Sequence, residues 1–139
     1  MKLFCFPYAG GTSSIYYKWR SELCKNIELL PIELAGRGRR IHEDTYISFH
    51  EMVDDVYRLM LPHIEDGSSF AVFGHRMGGG IVYEIADKLR DFNVKHLFIS
   101  GFRAPHINRE RRSIETDEDL IRTLVTLDTI GVFKEQRLC

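Results

Sequence analysis

Short apolar runs alternate along this chain with longer segments whose apolar residues recur every three or four positions. Lys2–Phe6 is the first run, and Pro7, Gly10 and Gly11 interrupt it. A helix is predicted over 15–25, with Ile15, Trp19 and Leu23 on one stripe and Ser13 or Ser14 as its cap. A second strand is predicted over 27–34, ending in the polar turn Ala35-Gly36-Arg37-Gly38-Arg39-Arg40. The strongest helical pattern follows. Ser48 and Glu51 have capping-box spacing, and Phe49, Met52, Val53, Val56, Leu59 and Met60 recur at helical intervals. Pro62 is expected to end that helix. Gly67-Ser68-Ser69 then turns into a third strand, Phe70-Ala71-Val72-Phe73, and the next helix buries Ile81, Val82, Ile85, Ala86 and Leu89. A fourth strand, Leu97–Ser100, closes at Gly101. A last amphipathic helix starts near Thr116 and Asp119, with Leu120, Ile121, Leu124 and Val125 on its face. Strands alternating with amphipathic helices predict βαβ units, hence an α/β fold with a mostly parallel sheet of about four strands.

Composition adds little to that picture and excludes some alternatives. The chain has 139 residues, 44% of them hydrophobic and 28% charged, which is enough apolar material for one globular core. A formal net charge of −1 gives no electrostatic reason to expect nucleic acid or an anionic membrane as partner. No apolar run approaches the roughly 20 residues of a membrane-spanning helix, and Met1–Phe6 reads as a strand rather than a leader. The cysteines Cys5, Cys24 and Cys139 are odd in number and lack C-x-x-C spacing, so neither a disulfide framework nor a zinc site is indicated. No cofactor is implied, and the cytoplasm is the expected location.

The candidate chemistry lies in Phe73-Gly74-His75-Arg76-Met77-Gly78. An apolar strand, a Gly-x-X-x-Gly turn and a helix make the context of a nucleophile elbow, whose middle position holds a serine. Here that position is Arg76. A guanidinium stays protonated and cannot attack a carbonyl.

Four motifs together carry a family resemblance. Leu3-Phe4-Cys5-Phe6-Pro7-Tyr8-Ala9-Gly10-Gly11, with Tyr17 and Trp19 after it, resembles the opening of the type II (external) thioesterases of non-ribosomal peptide and polyketide synthesis. These are α/β-hydrolases. Glu33-Leu34-Ala35-Gly36-Arg37-Gly38 resembles their E-L-P-G-R-G, with alanine in place of proline. Phe73–Gly79 resembles F-G-H-S-M-G, and Ser100-Gly101-Phe102-Arg103-Ala104-Pro105-His106 resembles S-G-R-R-A-P-H.

The resemblance implies hydrolysis of acyl thioesters on the phosphopantetheine arm of an acyl or peptidyl carrier protein. It places the nucleophile position at Arg76 and the backbone oxyanion donors at Met77 and Ala9. It implies an incomplete α/β-hydrolase domain over 1–139, with the start of the lid at about 107–139. The family's aspartate and histidine follow the lid, so both are expected to be missing and the chain to be inactive. The alternative is a non-catalytic module that binds carrier proteins or acyl groups. A third reading, residual hydrolysis through an unrecognised nucleophile, would use Cys5 or Ser100. Both are read as structural, Cys5 as a buried inert thiol.

The histidines offer no evident base. His75 matches a family histidine that is not the base, His106 belongs to the A-P-H motif, and His50 opens a helix; His42, His63 and His96 read as surface residues. Arg37, Arg39 and Arg40 could meet the phosphopantetheine phosphate or an acidic carrier protein, although a solvated loop is the simpler reading; Arg109, Arg111 and Arg112 read alike. The resemblance also implies the strand order second, first, third, fourth. That leaves the apolar Leu97-Phe98-Ile99 at an edge, with self-association or poor solubility as the expected consequence.

Overall fold

Four parallel strands organise the structure, a computed structural model that describes residues 1–103. They are β1 (Lys2–Phe6), β2 (Glu28–Pro31), β3 (Phe70–His75) and β4 (Val94–Ser100), in the expected order β2-β1-β3-β4. β1 and β3 are central and buried on both faces, which is why they read as continuous apolar runs. The pleat sends Phe4 and Phe6 to one face and Leu3 and Cys5 to the other. On the first face they meet Val53, Val56 and Met60 of α1 (Phe49–Ile64) and Ile81 and Ile85 of α2 (Met77–Ile85). On the second face Leu3, Cys5, Ala71 and Phe73 pack with Tyr16, Ile15 and Trp19.

Several predicted boundaries move, each for a local reason. The helix expected over 15–25 is a 3-10 helix over Ser13–Ser21. Its start is fixed from outside the segment, because the Ser13 N–H and hydroxyl both donate to the Glu33 carboxylate, at 2.9 and 2.8 Å. The Tyr16 hydroxyl donates to the Phe6 carbonyl at 2.7 Å, holding the turn down on the sheet. β2 is shorter than the predicted 27–34, since Pro31 has no N–H to continue the ladder and only the Ile32 N–H reaches the Cys5 carbonyl. Pro62 does not end α1. It falls in the last turn, and burying Ile64 outweighs the one helical hydrogen bond that proline removes. β3 runs on to His75, and β4 begins at Val94, three residues before its predicted start. The segment after α2 tightens to a 3-10 turn, Ala86–Leu89, that still buries Leu89.

The capping signal at α1 is present, with the Ser48 hydroxyl accepting from the Glu51 N–H at 3.1 Å. The Glu51 carboxylate reaches back to the Ile47 N–H at 2.8 Å. β4 is the sheet edge among the described residues, with Leu97, Phe98 and Ile99 at 41%, 38% and 45% exposure. The predicted lid, about 107–139, lies outside the described residues.

A polar cluster ties the turn after β2 to α1. Arg40 donates to Asp55 at 2.8 Å, to the Glu33 carbonyl at 3.0 Å and to Glu43 at 2.5 Å. The Tyr46 hydroxyl donates to Asp55 at 2.5 Å and accepts from the Ala35 N–H at 2.9 Å. Burial lifts the Tyr46 phenol to about 12, so it remains a donor across the working range. At Asp55 burial pushes the carboxyl up, but the hydrogen bonds from Arg40 and Tyr46 more than offset it and hold the group below its ordinary value. A folded-state pKa below the unfolded one gives stability that is complete above about pH 4. That stability is lost as pH falls through the folded value. Arg40→Met is therefore expected to cost about 2 kcal/mol at pH 7 and to shrink the further loss between pH 7 and pH 3. Urea unfolding at the two pH values measures both, and an acid-side loss equal to the parent's would contradict the assignment.

Candidate functional site

β3 passes into α2 with no loop between them, so one residue must reverse the chain. That residue is Arg76, at φ 52° and ψ −114°, the one non-glycine residue with positive φ among those described. Backbone of this kind costs of order 1–3 kcal/mol and persists where its surroundings impose it. The surroundings are visible. The Arg76 N–H donates to the Ser100 carbonyl at 2.8 Å, and the Arg76 carbonyl accepts from Gly80 at 3.2 Å, opening α2. A Cβ at Gly74 would run into the Gly78 carbonyl, and one at Gly78 into the carbonyl of Phe6 on β1. The strand–turn–helix predicted around Arg76 is thus present, closed by backbone contacts.

A cleft of about 340 Å³ adjoins the elbow. Ala9 and Met77, the two residues expected to offer backbone donors, both line it, with Leu34, Phe49, Met52 and Arg37 among the other walls. Met77 is the first residue of α2, where backbone N–H groups have no intrahelical partner. Ala9 belongs to the glycine loop after β1, whose turn is closed by the Gly11 N–H donating to the Tyr8 carbonyl at 3.0 Å. Arg76 flanks this cleft and does not line it. A Cβ at Gly101 would lie 3.4 Å from the Arg76 Cγ, so the side chain leaves the elbow on the β4 side.

The other candidates fall into place around these two features. His75 Nδ1 lies 3.2 Å from the Ser100 hydroxyl, and its ring meets Tyr8 edge-on at 6.3 Å. Burial, then the charge of Arg76, hold His75 below the usual histidine value. Its contacts fit an anchoring role, and they occupy Ser100 as well. Cys5 is fully buried in β1, and burial pushes its thiol well above the ordinary range, so no reactive thiolate is available there. His50 faces Asp54 at 3.3 Å on the exposed side of α1, while His42, His63 and His96 are exposed as expected. His106, Arg109, Arg111 and Arg112 lie outside the described residues. Among the described residues no group of three potential metal ligands occurs, and no helix is long and apolar enough to cross a membrane.

Three contributors had no role of their own assigned from sequence. Glu33, 7% exposed, holds Ser13 and so ties the segment after the glycine loop to the end of β2. A lone carboxylate between Ile32 and Leu34 is the signal that could have shown it. Ile47, 95% exposed, and Thr45 also line the cleft from the loop before α1, and nothing in their pattern marks them.

Residues 1–137 match the family described as the thioesterase domain. Linear gramicidin dehydrogenase LgrE of Brevibacillus parabrevis is 36% identical over 131 residues, covering 91% of this chain and 49% of LgrE. Gramicidin S biosynthesis protein GrsT of Aneurinibacillus migulanus is 36% identical over 133 residues, covering 92% of this chain and 51% of GrsT. The solved type II thioesterase BorB of the borrelidin biosynthetic cluster superposes with a TM-score of 0.77 at 25% identity, covering 97% of this chain and 55% of BorB. The chain spans about half the length of these relatives.

Proposed function

This chain belongs to the thioesterase domain family, and from that premise we propose that its cleft receives the acyl thioester arm of a carrier protein without cleaving it. The carrier is an acyl or peptidyl carrier protein of non-ribosomal peptide or polyketide synthesis, since the similar solved proteins ClbQ and YbtT are named from NRPS/PKS pathways. The observation that carries the reading is Arg76, seated in elbow geometry at φ 52° beside a cleft lined by Ala9 and Met77. Oxyanion stabilisation by main-chain N–H groups does not depend on the side chains of Ala9 and Met77, so substitution at position 76 leaves it available. Covalent catalysis does depend on the residue at 76. A protonated guanidinium has no lone pair with which to attack the thioester carbonyl.

The apolar walls Leu34, Phe49, Met52 and Met77 suit an acyl group, and the cleft lies at the low end of ligand-pocket volumes. Calorimetric titration with a carrier protein bearing a non-hydrolysable acyl-amide arm tests the reading. Saturable binding that exceeds binding of the unloaded carrier is expected. Equal or absent binding of the loaded carrier would end the proposal.

A further inference from the structure

Three arginines leave the turn after β2, and the structure assigns them different positions. Arg40 is held by Asp55, Glu43 and the Glu33 carbonyl. Arg39 is exposed and does not line the cleft. Arg37 is exposed, lines the cleft with Ala9 and Met77, and makes no ion pair among the described residues.

The backbone that carries Arg37 is fixed on both sides. The Arg40 N–H donates to the Arg37 carbonyl at 2.7 Å, and the Gly36 N–H donates to the Arg40 carbonyl at 2.9 Å. The Tyr46 hydroxyl holds the Ala35 N–H just before the turn. A Cβ at Gly38 would meet the buried Glu33 carboxylate, so the turn is packed onto its anchor. Two buried or half-buried polar clusters thus hold a turn that places Arg37, the one arginine of the three on the cleft wall, at the cleft.

A guanidinium is a rigid fork of donors suited to phosphate and carboxylate oxygens. The pantetheine part of a carrier arm is made of neutral amides, and its charge sits on the phosphate. Building on the reading that the cleft takes such an arm, we propose that Arg37 binds the arm's phosphate. A neutral acyl group then lies along the apolar walls toward Ala9 and Met77.

The test compares small ligands, so that no carrier surface contributes. An acyl-phosphopantetheine thioether and the matching acyl-pantetheine thioether, with the same neutral acyl group, are titrated into the full chain. The phosphorylated ligand is expected to bind about tenfold tighter, the scale of one charge-assisted hydrogen bond. Arg37→Gln removes that preference, read as the ratio of the two ligands' affinities for the same variant. Arg37→Lys keeps part of it, and Arg39→Gln keeps all of it. Equal binding of the two ligands by the parent overturns the assignment, as it would if Arg37 met an acidic carrier surface instead. So does a preference that survives Arg37→Gln. A pantetheine thioether with a carboxylate-ended acyl group is the third ligand, and tight binding of it that needs Arg37 would move Arg37 to the acyl end and overturn the phosphate assignment. If no thioether binds at all, the reading of the cleft fails first, and this assignment fails with it.

Discussion

Replacing Gly78 by alanine is expected to lower the thermal midpoint of unfolding by roughly 10 °C or more. The new Cβ would fall on the carbonyl of Phe6, with the Phe6 carbonyl carbon and the Pro7 oxygen each 3.0 Å away. All three are main-chain atoms at the end of the central strand β1, which pairs on both sides and cannot withdraw. Overpacking of side chains costs about 1–3 kcal/mol because rotamers can adjust. A clash of backbone on backbone has no such outlet, so a cost of about 3 kcal/mol or more is expected. Gly74→Ala meets the same obstacle from the other side, against the Gly78 carbonyl. Gly67→Ala is the control. It has positive φ, at 76°, which Gly74 and Gly78 do not, but its Cβ would enter open space, so only the backbone strain of about 1 kcal/mol applies. Thermal melts of the three variants separate the cases. A Gly78→Ala midpoint within about 2 °C of the parent's would contradict the packing described for the elbow.

The second large effect is catalytic. On the proposed reading of Arg76 as the nucleophile position, thioester turnover is expected to fall about 10⁶-fold below that of a serine-bearing family member. The acylation step needs an oxygen or sulfur nucleophile with its proton removed by a base. Among the described residues the alternatives are occupied. Cys5 is sealed in β1 with its thiol pushed upward, and Ser100 faces His75 while its carbonyl accepts from Arg76. Backbone donors at Met77 and Ala9 could still polarise a bound carbonyl for attack by water. That route leaves a residual acceleration of about 10³–10⁴ over the uncatalysed reaction. On the proposed reading, loss of the covalent path and survival of binding are therefore separate expectations, each with its own measurement.

Much of this was legible from sequence because it is local. Each strand of the sheet shows as an apolar run, and the elbow shows as two glycines bracketing three residues between a strand and a helix. What was not legible depends on partners far along the chain. The start of the 3-10 helix Ser13–Ser21 is fixed by Glu33, twenty positions away, and no periodicity within the segment reports it. Arg37, Arg39 and Arg40 are indistinguishable as a basic turn until Asp55, on α1, takes Arg40 and the cleft wall takes Arg37. Pro62 misled because a proline in a last helical turn removes little, and the pattern before it could not show that Ile64 would be buried.

On the proposed reading the elbow persists as geometry while its covalent chemistry is gone. Intact-mass spectrometry of the chain during incubation with an acyl-phosphopantetheine thioester, alongside measurement of released thiol, tests that claim directly. An unmodified chain mass is expected at all times, with thiol release at no more than the small rate of water attack. An acyl adduct on any residue of the chain that forms and decays with the rate of thiol release would contradict it.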